Sequence, residues 1–116
     1  MDTEQLLALL LSVLDDGKAV NVVVMDVRNR TSITDYMIVA SGTSERHVSA
    51  LAGHLVEKAK SVDLQPLGVE GQSTGEWVLV DFGDAIVHVM KPQTREFYQL
   101  EKLWQGDHAP PQVVNG

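Results

Sequence analysis

Apolar and polar positions alternate most clearly around a Gly-Asp dipeptide at positions 83–84. A Gly-Asp pair between two β-rich runs is typical of the two-residue loop of a hairpin. Counting outward from that loop predicts that Leu79 pairs with His88 and that Trp77 pairs with Met90. Because successive side chains point to opposite sides of a strand, this register divides the hairpin into two faces.

The two faces of the predicted hairpin differ in composition. One is apolar throughout, as a core requires, and consists of Val78, Val80, Phe82, Ala85, Val87 and Val89. The other, which we call the mixed face, consists of Trp77, Leu79, Asp81, Ile86, His88 and Met90. Sheet surfaces that face water are usually polar, whereas aromatic residues and Met are enriched at interfaces. The mixed face is therefore either covered by a helix of the chain or used by a partner, and the sequence leaves both interpretations open.

The rest of the chain predicts a regular succession of helices and strands. A helix begins at a cap on Asp2 and stops at Gly17, with leucines at helical spacing between them. A second, clearly amphipathic helix begins after Thr43 or Ser44, and a third is capped by Thr94. In addition to the hairpin, strands are predicted over 21–27, 33–40 and 64–70.

This order of elements, αββαβββα, predicts an α/β fold. We expect a mixed sheet of about five strands that packs against helices. A chain of 116 residues is long enough for one hydrophobic core, so a single domain is predicted over 1–105. The segment 106–116 contains two prolines and no periodicity, which predicts a disordered tail.

Composition and charge narrow the class of partner. The net charge is −7, and the nine Lys and Arg residues are scattered, whereas proteins that grip nucleic-acid phosphates need basic clusters. The acidic surface suits a basic protein partner, although it would equally serve to keep a small domain in solution. There is no cysteine for disulfides or thiolate metal sites, and no apolar run approaches the ~20 residues of a membrane span. The leucine-rich start lacks the basic flank of a signal peptide.

The spacing of the candidate catalytic and metal-binding residues does not match that of known active sites or metal sites. Asp81 and Asp84 lie three apart on either side of a tight turn and cannot share metals as a D-x-D pair would. His47 and His54 are seven apart, whereas helical metal sites use three or four, so we expect Arg46 and His47 to orient the turn that starts the second helix. Asp81 lies diagonally across from His88, but no Ser or Cys is placed to complete a relay. We therefore predict no enzyme, no cofactor and no metal.

Five separated blocks of the sequence closely resemble the ribosomal silencing factor (Iojap-like) family. They are SITDYM at 32–37, GTSERHV at 42–48, GVEG at 68–71, VDFGDAIVHVM at 80–90 and YQLEKLW at 98–104. The resemblance extends from about Asp2 to Trp104 and implies a mixed-sheet fold akin to nucleotidyltransferases. It also implies a cytoplasmic protein that binds the large ribosomal subunit through its fourteenth ribosomal protein. Such binding blocks joining of the small subunit and damps translation when nutrients are short.

Pattern and resemblance together predict a non-enzymatic factor that docks through the mixed face. The predicted partner-binding residues are Trp77, Leu79, Asp81, His88 and Met90, with Tyr98 of the last helix along the same surface. The first alternative is a symmetric homodimer through this face, because an apolar patch suits a two-fold contact equally well. A nucleotidyltransferase-like enzyme is a distant third: the Gly-Thr-Ser helix start could attract phosphate, but the metal-binding carboxylates are missing.

Overall fold

The computed structural model describes the backbone of residues 1–98 and 112–113 and the side chains of residues 1–96. The described residues form three helices and six strands: α1 (Thr3–Asp16), β1 (Val20–Asp26), β2 (Tyr36–Ser41), α2 (Glu45–Ser61), β3 (Gly68–Glu70), β4 (Trp77–Asp81), β5 (Ala85–Met90), α3 (Pro92–Tyr98) and β6 (Gln112–Val113). The predicted order αββαβββα is confirmed as far as the end of α3.

One mixed sheet contains all of these strands, in the order β3-β4-β5-β2-β1-β6. The central pair, β2 and β5, is parallel, and the other neighbouring strands are antiparallel. The long connection between β2 and β5 includes α2, as a parallel pair requires. The predicted α/β fold with a mixed sheet is confirmed, whereas the likeness to nucleotidyltransferases stays a prediction.

The strand β6 was not predicted from the sequence. It is antiparallel to β1, with Val113 opposite Val23 and Gln112 opposite Val24. Both residues of β6 belong to the segment 106–116, so the predicted disordered tail is wrong for these two positions. The remaining residues of that segment lie outside the described residues, and the domain boundary at 105 stays a prediction.

The hairpin has the register that the Gly-Asp loop predicts. Trp77 lies opposite Met90 and Leu79 lies opposite His88. The first loop residue, Gly83, has a φ of +87°, which glycine adopts without the steric cost that a side chain would add. The backbone of the loop therefore fixes the pairing, and the pairing fixes which side chains share a face.

Helices α1 and α2 cover one face of the sheet. Their buried stripes include Leu6, Leu10, Leu14, Val48, Leu51 and Leu55, and these pack against a sheet layer that includes Val24, Ile38, Val78, Val80, Val87 and Val89. On the opposite side, which we call the second face, a smaller apolar cluster is formed by Val23, Met25, Val27, Met37, Val39 and Met90, with Trp77 packed against it. The mixed face of the hairpin is the part of the second face that β4 and β5 contribute.

The capping residues explain where the two long helices begin. Asp2 and Gln5 form a reciprocal capping box at the start of α1, and Ser44 caps α2 by accepting from the His47 amide. His47 itself accepts from the Thr43 amide at 2.9 Å through Nδ1 and meets the Gly17 carbonyl at 2.8 Å through Nε2. The predicted role of His47 in orienting this turn is confirmed, and the same ring ties the start of α2 to the end of α1. Arg46 is exposed, and its predicted share in this role stays a prediction.

Several element boundaries differ from the sequence prediction, and the third strand, predicted over 64–70, begins only at Gly68. The strand β2 begins at Tyr36, because Ile33, where the prediction began, lies in the preceding loop and is 73% exposed. The helix α3 begins at Pro92 and not after a cap at Thr94. Proline suits the first helical position, where its missing N–H would have no intrahelical partner.

Candidate partner-binding surface

Burial divides the mixed face by strand. The residues from β5 are buried, since Ile86 and His88 are 7% and 6% exposed and Met90 is inaccessible. The residues from β4 are only partly buried: these are Trp77, Leu79 and Asp81. The sequence left open whether the mixed face is covered or accessible. The side chains from β5 are covered, whereas those from β4 are partly accessible.

Trp77 is held in place by a hydrogen bond to His88. The indole Nε1 donates to Nδ1 of His88 at 3.0 Å, and the ring centroids lie 5.9 Å apart at an interplanar angle of 49°. An indole N–H can only donate, so Nδ1 of His88 must be unprotonated and the neutral ring carries its proton on Nε2. The bond therefore fixes both the tautomer of the imidazole and the position of the indole.

Burial keeps His88 in the neutral form that this bond requires. Removal from water lowers the pKa of His88 from 6.5 to about 4, so the ring is uncharged at neutral pH. A protonated ring would place an N–H at Nδ1 directly opposite the indole N–H. The electrostatics of the pair thus favour a rigid neutral contact and not a group that exchanges protons near pH 7.

Asp81 is engaged with its own turn. Its Oδ1 accepts from the backbone N–H of Gly83 at 2.8 Å, while Nδ1 of His88 is occupied by Trp77. The diagonal Asp81–His88 pair considered from the sequence is therefore not formed among the described side chains. Asp84 is exposed at the hairpin tip and accepts from the Thr3 hydroxyl at 3.3 Å, so the two carboxylates do not converge on one site.

Met90 packs beneath the accessible residues of the mixed face and is itself covered. Its side chain is fully buried and belongs to the apolar cluster against which Trp77 packs. A side chain without accessible area cannot touch a partner in this conformation. The structure therefore gives Met90 a packing role in place of the predicted partner contact, and His88, at 6% exposure, has mainly a supporting role as well.

The helix α3 approaches the second face at one end. Nη1 of Arg95 donates to the carbonyl of Asn21 at 2.6 Å and to the hydroxyl of Ser41 at 3.0 Å. Ser41 follows Val39 by two residues along β2 and so shares its side of the sheet. Tyr98 is the last residue of α3, and its side chain lies outside the described part of the chain, so its predicted place on the surface stays a prediction.

At the helix start considered for phosphate binding, the Thr43 amide and the nearby hydroxyls are engaged within the protein. The Thr43 amide donates to His47, the Ser44 hydroxyl caps α2, and Ser41 is bonded to Arg95. Within the described residues there is also no group of three or more His, Cys, Asp or Glu side chains that could hold a metal ion. Over the same residues, no helix combines the length and apolar character needed to cross a membrane.

Sequence reasoning missed two features of this surface. The Trp77–His88 bond could have been anticipated, because Trp77 and Asp81 are the two residues diagonal to His88 in the predicted register. The Arg95 contacts carried no comparable signal, since Arg95 lies 74 residues from Asn21 and 54 from Ser41 along the chain.

Known proteins are similar to this chain over almost its whole length. The family model described as "Ribosomal silencing factor during starvation" matches residues 1–115. A ribosomal silencing factor of Haemophilus influenzae is 48% identical over 99 residues, which cover 85% of this chain and 97% of that protein. A crystal structure of a Chromobacterium violaceum protein matches with a TM-score of 0.89 at 39% identity and covers 100% of this chain and 95% of that one. A Mus musculus protein named "Mitochondrial assembly of ribosomal large subunit protein 1" is 38% identical over 99 residues, 83% of this chain and 43% of its own length.

Proposed function

The chain belongs to the ribosomal silencing factor family, and from that premise we propose that it binds the large ribosomal subunit and prevents the small subunit from joining. The docking partner is the fourteenth protein of the large subunit, as the sequence resemblance implies. The name of the mouse relative refers to the large ribosomal subunit, which supports the choice of subunit. The result is a cytoplasmic repressor of translation that acts when nutrients are limiting.

The observation that carries the proposal is the partly exposed apolar surface on β4, on the side of the sheet away from α1 and α2. Trp77 and Leu79 present large apolar groups there, and neither is buried as a core residue would be. Tryptophan is the residue type most enriched among binding hot spots, particularly when its ring is already held in place. The bond from Trp77 to His88 provides that rigidity before any partner arrives.

Charge supports a basic protein as the partner. The chain carries a net charge of −7, and Asp81 places one carboxylate on the same face of β4 as Trp77 and Leu79. One carboxylate oxygen already accepts from the turn, so a cationic side chain of a ribosomal protein can meet the other. Long-range attraction between an acidic factor and a basic ribosomal protein accelerates encounter and weakens as salt is added.

The activity proposed is steric and involves no turnover. A bound domain of this size occupies the interface side of the large subunit and denies it to the small subunit. The alternative, a symmetric homodimer through the same surface, would bury Trp77 against a second copy. Sedimentation of the isolated protein over a micromolar concentration range separates the two, since only self-association depends on its own concentration.

The proposal is tested by a subunit-joining assay with purified large and small subunits. We expect that the protein co-sediments with isolated large subunits and that the fraction of joined ribosomes falls as its concentration rises. It should not co-sediment with isolated small subunits, which serves as the control for the choice of subunit. Unchanged joining at a saturating concentration of the protein would refute the proposed function.

A further inference from the structure

A β-bulge in β1 allows one backbone carbonyl of this strand to accept a hydrogen bond from a side chain outside the sheet. Val20 pairs with Ser41 and Val23 pairs with Val39, so β1 has one residue more than β2 between these two pairs. Within this bulge Asn21 has a φ of +52°, in the left-handed region that asparagine tolerates better than most residues. A bulge interrupts the regular ladder, and the Asn21 carbonyl bonds to a side chain instead.

A single nitrogen of Arg95 joins this bulge to the neighbouring strand. Nη1 of Arg95 donates to the Asn21 carbonyl at 2.6 Å and to the Ser41 hydroxyl at 3.0 Å. Ser41 is 2% exposed, so its hydroxyl relies on a partner within the protein. Because the donor is charged, these bonds are stronger than neutral ones. Arg95 therefore links α3 to both β1 and β2.

The strand register connects this link to the proposed docking surface. Ser41 lies beside Met90 in the parallel pair of β2 and β5, and Met90 lies opposite Trp77 in the hairpin. The three side chains thus form one row across the second face, with Trp77 at one end and the Arg95 contact at the other. The helix α3 follows β5 after a single residue, Lys91, so its position over this row depends on what holds it there.

We propose that Arg95 is a positioning residue for the docking surface, which it serves by clamping α3 to the bulge of β1 and to Ser41. The clamp sets the direction in which α3 leaves the sheet and hence how this helix lies beside the docking surface. Arg95 acts through the helix and does not itself contact the basic partner, which its own positive charge would disfavour. The functional part of this inference rests on the proposed binding to the large subunit.

The clamp is tested first in the free protein. Arg95→Gln should accelerate amide hydrogen exchange within α3 by at least about tenfold, the factor that matches the loss of one charged hydrogen bond. Ser41→Ala should accelerate it less, because the Asn21 carbonyl remains as an acceptor. In the double variant Ser41→Ala should add nothing further, since the donor is already gone. Exchange within α3 that is unchanged by Arg95→Gln would overturn the clamp.

The positioning role is tested on isolated large subunits. Arg95→Gln should weaken binding about tenfold through faster dissociation, with the salt dependence of the association rate unchanged. Lys58→Gln is the matched control, because Lys58 is exposed on α2 and its replacement removes the same charge. If the wild-type protein binds and Arg95→Gln binds equally well, the positioning role is wrong while the proposed function stands. If the wild-type protein does not bind, the proposed function fails and the positioning role fails with it.

Discussion

The neutral state of His88 makes the stability of this domain depend on pH in a direction that follows from the structure. His88 is buried, and its pKa is lowered from 6.5 to about 4. In the unfolded chain the ring regains its ordinary pKa and binds a proton below about pH 6.5. The unfolded state therefore holds more protons than the folded state between these two values. Stability is full above about pH 6.5, is lost progressively as the pH falls from there to about 4, and loses no more to His88 below that.

The size of the effect follows from the same two pKa values. Linkage predicts that protonation of His88 removes about 2 kcal/mol of unfolding free energy between pH 7 and pH 5, and roughly 3 kcal/mol by pH 4. That is a large fraction of the stability of a small domain. Carboxylates also titrate in this range, so the contribution of His88 must be obtained as a difference between two proteins.

The perturbation that isolates His88 is its replacement by asparagine. The Oδ1 of asparagine lies close to the position of Nδ1 of histidine and can still accept from the Trp77 indole, but it does not titrate. We expect urea denaturation to show that the wild type loses about 2 kcal/mol more than His88→Asn between pH 7 and pH 5. Nitrogen chemical shifts of the imidazole should show Nδ1 unprotonated at pH 7. Equal pH dependence of the two proteins, or a protonated Nδ1, would refute the reasoning.

Two further predictions concern the hairpin and its flanking turn. Asp81→Asn should slow association with the large subunit and flatten its salt dependence with the fold intact, whereas Asp84→Asn, the same charge change at the hairpin tip, should do neither. Stopped-flow rates at several salt concentrations compare the two variants, and equal behaviour would contradict the role of Asp81. Gly71→Ala should lower the unfolding free energy by at least about 2 kcal/mol, because its φ is +84° and an added Cβ would lie 2.1 Å from the Trp77 carbonyl oxygen. Gly53→Ala is the control: it lies inside α2, where an added Cβ meets nothing within 4 Å, and it should stabilise the protein by up to about 1 kcal/mol. Both variants are measured by urea denaturation. If Gly71→Ala is as stable as Gly53→Ala or more so, this account of Gly71 is wrong.

The features that sequence predicted best are those fixed by local chemistry. A two-residue loop at Gly83 leaves one register for the hairpin, so the faces followed from counting alone. The capping box at Asp2 and the cap at Ser44 likewise use side chains within three residues of the amides they bind. Such signals involve few residues and restrict the backbone strongly, and they were enough to predict the order of the elements from α1 to α3.

The features that the sequence did not predict are of two kinds. Some depend on contacts between segments far apart in the chain, and others depend on which of two equally placed side chains forms a hydrogen bond. His88 has two diagonal neighbours, and only the packed structure shows that the indole of Trp77, and not the carboxylate of Asp81, is its partner. The bond between Arg95 and Asn21 joins residues 74 apart at an irregular bulge that leaves no periodic trace. The two-residue strand β6 is also too short to produce a pattern of its own.

The most direct measurement is the affinity of isolated large subunits for the Trp77→Ala variant. Trp77 is the most prominent accessible side chain of the proposed surface, and hot-spot truncations cost about 2 kcal/mol or more, which corresponds to roughly a 30-fold weaker Kd. Ile33→Ala is the control, because Ile33 is 73% exposed in the loop between β1 and β2 and carries no proposed contact. We predict a Kd at least about 30-fold higher for Trp77→Ala at a temperature where near-UV circular dichroism shows it folded, with Ile33→Ala unchanged. A folded Trp77→Ala variant that binds as tightly as the wild type would contradict docking through this surface.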